Sequence, residues 1–178
     1  MKTAVIFSSE TGFTKKYAEW LKEALGNEAE LFALNEARKA LKDSWNDFDA
    51  LIYGGWCCAG SVNGASWFKK NISDWAAAGK KLAVWATGGS PAGSPDIEVT
   101  LNRLLAEEQH KVCEVFYCPG GYAYDKMSAK NRMLMGLFAK MVASKAKKDP
   151  SLKEMAKMLS QSYDLTDKKQ FDDFLLLK

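Results

Sequence analysis

The feature that most constrains this chain is a succession of short runs that are apolar at every position rather than at every second one. Residues 3–8 (Thr-Ala-Val-Ile-Phe-Ser), 50–53 (Ala-Leu-Ile-Tyr) and 82–86 (Leu-Ala-Val-Trp-Ala) are of this kind, and 29–34 and 112–118 come close, each broken by a single glutamate. A strand without a polar face is buried on both sides, as in a parallel sheet covered by helices. Helical stretches separate the runs. Tyr17, Trp20, Leu21, Ala24 and Leu25 recur at helical spacing before Gly26, and residues 36–46 read as a short helix or loop. Residues 65–78 read as a helix closed by Gly79, and a further helix is expected over about 95–109. The third run is expected to break at Gly54-Gly55 and the fourth at Thr87-Gly88. Strand and helix thus alternate about five times, which predicts an α/β, doubly wound parallel sheet with right-handed crossovers and helices on both faces.

At 178 residues the chain buries roughly 70% of its unfolded surface, enough for a core without disulfides or metal. All 178 residues are expected to form one domain with a helical extension at about 126–160. Cys57 and Cys58 are adjacent, while Cys113 and Cys118 lie in a strand-like run, so the cysteines do not read as a disulfide framework. The single histidine, His110, and the absence of ligand spacing exclude the usual metal sites. No run approaches the ~20 apolar residues of a membrane span, and no secretory signal is evident. A reducing cytoplasmic location is the expectation.

Charge is unevenly placed. The total is +3, too weak an excess to expect a nucleic-acid partner. Residues 126–157, however, hold nine basic side chains against Asp149 and Glu154, a net +7 that leaves the remainder at −4. Six of the seven methionines lie in 127–158. Met133, Leu134, Leu137, Phe138, Met141 and Val142 mark one helical face in this segment. That face either covers the sheet, with the lysines solvated, or forms an adaptable surface for a partner or an anionic membrane.

In an open parallel sheet, ligands bind beyond the carboxyl ends of the strands. Three loops leave such ends: Ser9–Thr14, Gly54–Gly64 and Thr87–Pro95, each rich in Gly, Ser or Thr. In the first, Ser9, Thr11 and Thr14 surround Gly12 just before a helix. Hydroxyls and backbone N–H groups at a helix start make an anion cradle. A plain N-cap cluster is the other reading. Lys15 and Lys16 in the first helical turn oppose the helix dipole unless an anion answers them. Neither a Walker A loop nor the dinucleotide fingerprint is present.

Ser9-Glu10-Thr11-Gly12-Phe13-Thr14 resembles the S/T-x-T-G-x-T phosphate loop of flavodoxins, and the likeness in element order extends over roughly residues 1–145. Pro119–Ser128 and Asn131–Met135 resemble the branch that contains menaquinone-dependent protoporphyrinogen oxidases. The resemblance implies a flavodoxin-like five-stranded sheet of order 2-1-3-4-5 and a non-covalent FMN. It implies that Ser9, Glu10, Thr11, Gly12, Phe13 and Thr14 hold the ribityl phosphate. Gly55, Trp56, Cys57, Cys58, Ala59 and Gly60 on one side, and Thr87, Gly88, Gly89 and Ser90 on the other, would flank the ring. Trp56 occupies the position of a ring-stacking aromatic. For Trp56, burial in the core is the competing reading.

The chain also departs from that pattern. The third loop has no aromatic residue, which leaves one ring face open to a substrate, a quinone, or Tyr122 or Tyr124. Electron carriers of the family are strongly acidic, and this chain, at pI 8.6, is not. Adjacent cysteines rarely pair, so Cys57 and Cys58 are expected to be structural. No nucleophile or acid–base pair stands out, and none is needed where the flavin carries the chemistry. Three functions follow: an electron-transfer protein serving redox partner proteins, a flavin oxidoreductase passing electrons to a quinone, or a flavin-less binding module. Peripheral membrane contact through residues 126–157 belongs with the second. The apolar Phe171, Phe174, Leu175, Leu176 and Leu177 are expected to pack back on the domain.

Overall fold

In a computed structural model, residues 1–58 and 60–171 are described. Strands β1 (Thr3–Ser8), β2 (Ala29–Ala33) and β3 (Ala50–Cys58) alternate with helices α1 (Phe13–Leu25) and α2 (Leu34–Ser44). A two-residue strand β4 (Ser61–Val62) turns back on β3, and then come α3 (Ala65–Ala77), β5 (Lys81–Gly88), α4 (Pro95–Leu104), α5 (Glu107–His110) and β6 (Glu114–Pro119). The long strands pair in parallel in the order β2-β1-β3-β5-β6, with β4 antiparallel off β3. Discounting β4, this is the expected 2-1-3-4-5 order.

Period two along each strand divides the core between the two faces. Ala4, Ile6, Leu51, Tyr53, Leu82 and Val84 point to one face, where Leu34, Leu41, Phe68, Ile72 and Trp75 of α2 and α3 meet them. Val5, Ile52, Ala83 and Trp85 point to the other, against Tyr17, Ala18 and Leu21 of α1. Because the inner stretches of β1, β3 and β5 face a helical layer on each side, their successive positions are apolar.

Two strand ends differ from expectation. The third strand runs through Gly54-Gly55 to Cys58, and the fourth through Thr87 to Gly88. Gly54 seats the indole of Trp85: a Cβ there would lie within 2.4 Å of three ring atoms. The glycine is in the strand to make room, not to end it. The helix expected over 95–109 divides at Leu105, whose backbone is extended (φ −115°, ψ 157°), and α5 restarts with Gln109 accepting the Ala106 N–H. Leu104 and Leu105 are both buried, and that burial turns the chain where no Gly or Pro marks a break.

The tail departs most. After β7 (Gly121–Tyr122) comes α6 (Ala129–Ala146), which is followed by α7 (Lys153–Met158) and β8 (Tyr163–Asp164). Helix α6 does not cover the sheet. It packs against residues 150–152 and α7, burying Val142 and Ala146 while Met133, Leu134, Leu137, Phe138 and Met141 stay exposed. Strand β8 pairs antiparallel with β7, and the chain then runs along α1, where Asp167 N–H donates to the Tyr17 hydroxyl and Lys168 pairs with Glu23. The expected packing of the final Phe-Leu-Leu-Leu segment lies outside the described residues. No helix among the described residues is long and apolar enough to cross a membrane.

Candidate functional site

The first loop leaves β1 at Ser8 and enters α1 at Phe13. Gly12 turns the chain in the left-handed region (φ +99°), and its N–H donates to Ser9 Oγ at 3.2 Å. A Cβ at Gly12 would touch nothing, so the backbone angle, not space, selects glycine. Helix α1 has no side-chain cap and no acidic residue in its first turn. Ser9 and Thr11 are half-exposed beside those open N–H groups, while Thr14 faces inward at 1% exposure. Phe13 lies against Gly120 and Gly121, and a Cβ on Gly121 would come within 2.8 Å of its ring.

The Glu10 side chain faces away from this cradle. Its carboxylate accepts the Ser128 N–H at 2.9 Å and the Asn131 side-chain amide at 2.5 Å. Burial pushes this carboxyl up, but the hydrogen bonds from Ser128 and Asn131 outweigh it and hold the group below the ordinary glutamate value. Glu10 therefore anchors α6 and offers the cradle only its backbone. The two lysines of the first turn are also answered within the chain. Lys15 pairs with Glu19 at 3.5 Å, and Lys16 binds Asp164 at 3.0 Å and Thr166 at 2.6 Å. Their charge is accounted for without an external anion, so the argument for one rests on the uncapped helix start and the hydroxyls.

The second and third loops meet across β3 and β5. Trp56 pairs in register with Thr87, is half-exposed, and its carbonyl accepts the Asn63 N–H at 2.9 Å. Cys57 and Cys58 belong to the β3–β4 hairpin, opposite Val62 and Ser61, and Gly60 makes its turn at φ +75°. Ala59 lies outside the described residues. Cys57, Gly60, Gly88, Ser90, Asp96 and Tyr117 enclose a cavity of about 130 Å³ between the two loops. Burial, followed by the charges of Asp96 and Cys58, pushes the Cys57 thiol up to about 11, so it is protonated near neutrality. Thr87 is 3% exposed, and its hydroxyl has no hydrogen-bond partner among the described residues. Gly88 accepts the Gly120 N–H at 2.7 Å, and Ser90 Oγ donates to Asp96 at 3.0 Å.

Three residues at the site carried no signal in the local sequence. Tyr163 reaches Gly89 from the tail, donating its hydroxyl to the Gly89 carbonyl at 2.9 Å. Tyr163 also stacks on Tyr122 (6.1 Å, 21°). Tyr122 therefore meets the third loop's neighbour Tyr163 through its ring, and it is Tyr163 that hydrogen-bonds the loop. Tyr117 donates to Ser90 O at 2.7 Å from within β6. Arg38 of α2 stands with Ser8, Ser9, Asn35, Asn63 and Ser66 around an open cleft of about 460 Å³ on the far side of the first loop. All three come from elements distant in sequence, and only the topology brings them here.

The flavodoxin domain family matches residues 4–151. The chain belongs to that family. The flavodoxin match takes in all three loops and α6 but ends before α7 and β8, so Tyr163 lies beyond it. Solved structures of similar fold include a flavoprotein in complex with FMN from Lactobacillus acidophilus NCFM: 16% identity, 66% of this chain and 92% of that one, TM-score 0.43. A flavodoxin from Fusobacterium nucleatum bound to flavin mononucleotide shares 18% identity over 71% of this chain and 74% of that one, with TM-score 0.44. The Trp repressor binding protein of Bacillus subtilis shares 19% identity over 67% and 83%, with TM-score 0.49. No curated protein matches the chain.

Proposed function

We propose that this flavodoxin-family protein binds FMN non-covalently across its three carboxyl-edge loops and mediates electron transfer through it. The observation that carries the reading is the start of α1: a helix of 13 residues with no side-chain cap, no acid in its first turn, and the Ser9 and Thr11 hydroxyls beside it. That donor set suits a phosphate dianion, because N–H groups at a helix start carry partial positive charge. Two of the solved structures similar to this chain hold FMN.

When bound, FMN supplies the electron-transfer chemistry. The chain contributes binding and surroundings. Ser9, Thr11 and the first N–H groups of α1 would hold the phosphate, and Trp56 would pack on the ring, adding about 0.5–1.5 kcal/mol beyond its area. Cys57, held protonated by burial, takes no charge of its own into the site. We further propose a reducing, cytoplasmic setting. A redox protein or a quinone would accept the electrons. The visible spectrum tests the core of this reading. Protein purified or incubated with FMN should be yellow, and a colourless protein that takes up no FMN overturns it. Anaerobic mixing of the reduced flavoprotein with a menaquinone analogue then distinguishes a quinone acceptor, by reoxidation, from a protein one.

A further inference from the structure

We propose that α6, with the turn that follows it, is a docking surface for an anionic lipid bilayer. Met133, Leu134, Leu137, Phe138 and Met141 are 39–63% exposed. Their three- and four-residue spacing places them along one side of a helix of 18 residues, about 27 Å long. Val142 and Ala146, on the other side, are the helix's buried residues. Lys130 stands in the first turn of this face, Lys140 at its flank and Lys145 in the last turn, all exposed. Lys147, Lys148, Lys153 and Lys157 follow, with Met155 exposed among them. Among the described residues none of these seven lysines forms an ion pair. Arg132, by contrast, is committed internally, donating to the carbonyls of Asp125 and Met127 and lying over the Tyr124 ring.

Charge and shape together select the occupant. A second copy would set the lysines of this face against the same lysines of its partner. An acidic protein would answer the lysines but would need a groove complementary to a convex helix whose apolar side chains are interleaved with ammonium groups. A bilayer interface accepts that interleaving. Leucine, phenylalanine and methionine enter the acyl boundary, while lysine stems lie along it and their charged heads reach the phosphates. Each lysine near an anionic surface contributes about fivefold in partitioning. Because Glu10 ties the first loop to Ser128 and Asn131 at the start of α6, docking would set the carboxyl-edge loops beside the membrane. The proposal does not depend on which cofactor those loops hold.

Flotation of the full-length chain with vesicles tests it. The protein should float with phosphatidylcholine vesicles containing about a third phosphatidylglycerol, and at least tenfold less with phosphatidylcholine alone. Raising salt from about 0.05 M to about 0.5 M should release it. Replacing Lys130, Lys140 and Lys145 with Gln should lower partitioning roughly a hundredfold. The pair Leu134→Ser and Leu137→Ser should lower it roughly tenfold with every lysine intact. These side chains are exposed, and an unchanged thermal unfolding midpoint certifies the fold of each variant. Absence of flotation with anionic vesicles, or equal flotation with both kinds, overturns the proposal. So does flotation undiminished by the leucine pair, since charge alone would then hold the protein. A concentration-dependent dimer abolished by the leucine pair assigns the face to a second copy and overturns it too. Full displacement from vesicles by soluble polyglutamate, which carries charge but no apolar layer, would favour an acidic protein and overturn it likewise.

Discussion

The side-chain amide of Asn131 donates to the Glu10 carboxylate at 2.5 Å, joining the first loop of the sheet to a helix 121 residues further along the chain. The same carboxylate accepts the Ser128 N–H, so one acidic residue both orients the loop and starts α6. Burial alone would raise the Glu10 pKa, but the hydrogen bonds from Ser128 and Asn131 give a net lowering. A carboxyl held low in the fold contributes stability that is present above its unfolded value and lost as pH falls through the folded one. Glu10→Ala should therefore cost about 1 kcal/mol near neutrality, discounted for partial exposure. The difference between variant and parent in urea unfolding should shrink as pH falls below the ordinary glutamate range. A difference that is the same at pH 7 and at pH 3 would count against this linkage.

The cradle at α1 makes a prediction that separates phosphate from ring. Thr11 is half-exposed beside the open helix start, whereas Thr14 is buried, so Thr11 can be changed without touching the core. Thr11→Ala should weaken FMN by about tenfold, the equivalent of one hydrogen bond to a charged group. Riboflavin, which lacks the phosphate, should bind as before. Fluorescence titration with both ligands makes the comparison, and equal losses would mean that the phosphate lies elsewhere.

How much of this was readable in advance follows from where each signal resides. Uniform apolarity in 3–8, 50–53 and 82–86 reports burial on both faces, and burial on both faces is a property of the strand itself, so the parallel sheet was legible locally; its 2-1-3-4-5 order was implied only by the resemblance of the first loop to flavodoxins. The three loops were legible because Gly, Ser and Thr at a strand's carboxyl end leave local marks. Gly54 misled because glycine marks both a break and a seat, and only the facing Trp85 tells them apart. Lys16 misled because its partner, Asp164, is 148 residues away. Tyr163 escaped notice for the same reason, and the apolar face over 133–142 left open whether it covers the sheet or faces outward, because that depends on the helix's distant neighbours rather than on its own residues.

Tyr163 ties the tail to the third loop through one hydroxyl and one ring. Its hydroxyl donates to Gly89 O and its ring stacks on Tyr122, so the two contributions can be removed in turn. Tyr163→Phe should cost about 1 kcal/mol, the hydrogen bond alone. Tyr163→Ala should cost a further 0.5–1.5 kcal/mol or so from the lost stack, beyond its area. Thermal unfolding of both variants resolves the two steps. If Tyr163→Phe already costs as much as Tyr163→Ala, the ring contributes nothing.

Gly54 and Gly12 are both glycines beside the site, yet their substitutions should fail for different reasons. At Gly54 a methyl group would overlap the Trp85 indole, with ring atoms at 1.9, 2.0 and 2.4 Å. Trp85 is fully buried and has nowhere to retreat, so Gly54→Ala should destabilise by about 3 kcal/mol or more, at the upper end of overpacking. At Gly12 a methyl group meets nothing within 4 Å, and the cost is only that of a left-handed residue, about 1–2 kcal/mol. The paired variant Gly54→Ala with Trp85→Leu should recover part of the first loss and none of the second. Urea unfolding of the single and double variants provides the test, and an additive double variant would mean that the indole is not the obstacle.

The adjacent thiols should differ in reactivity although they share a hairpin. Cys58 is exposed and Cys57 only partly so. Burial, then the negative charge of Asp96 and the neighbouring thiol, pushes Cys57 up to about 11. The thiolate is the nucleophile, and at pH 7.5 a group titrating near 11 holds less than about a thousandth of it. Iodoacetamide at that pH should therefore modify Cys58 first and leave Cys57 largely intact, as peptide mass mapping over time would show. The rate at Cys57 should climb about tenfold per pH unit toward pH 10, in both the parent and the Cys58→Ser variant. Asp96→Asn should bring the Cys57 profile to lower pH by removing the like charge, while leaving the larger effect of burial in place. A Cys57 that alkylates at neutral pH as fast as Cys58 would place a thiolate in the cavity between the second and third loops, and with it a second redox group beside the one those loops are proposed to hold.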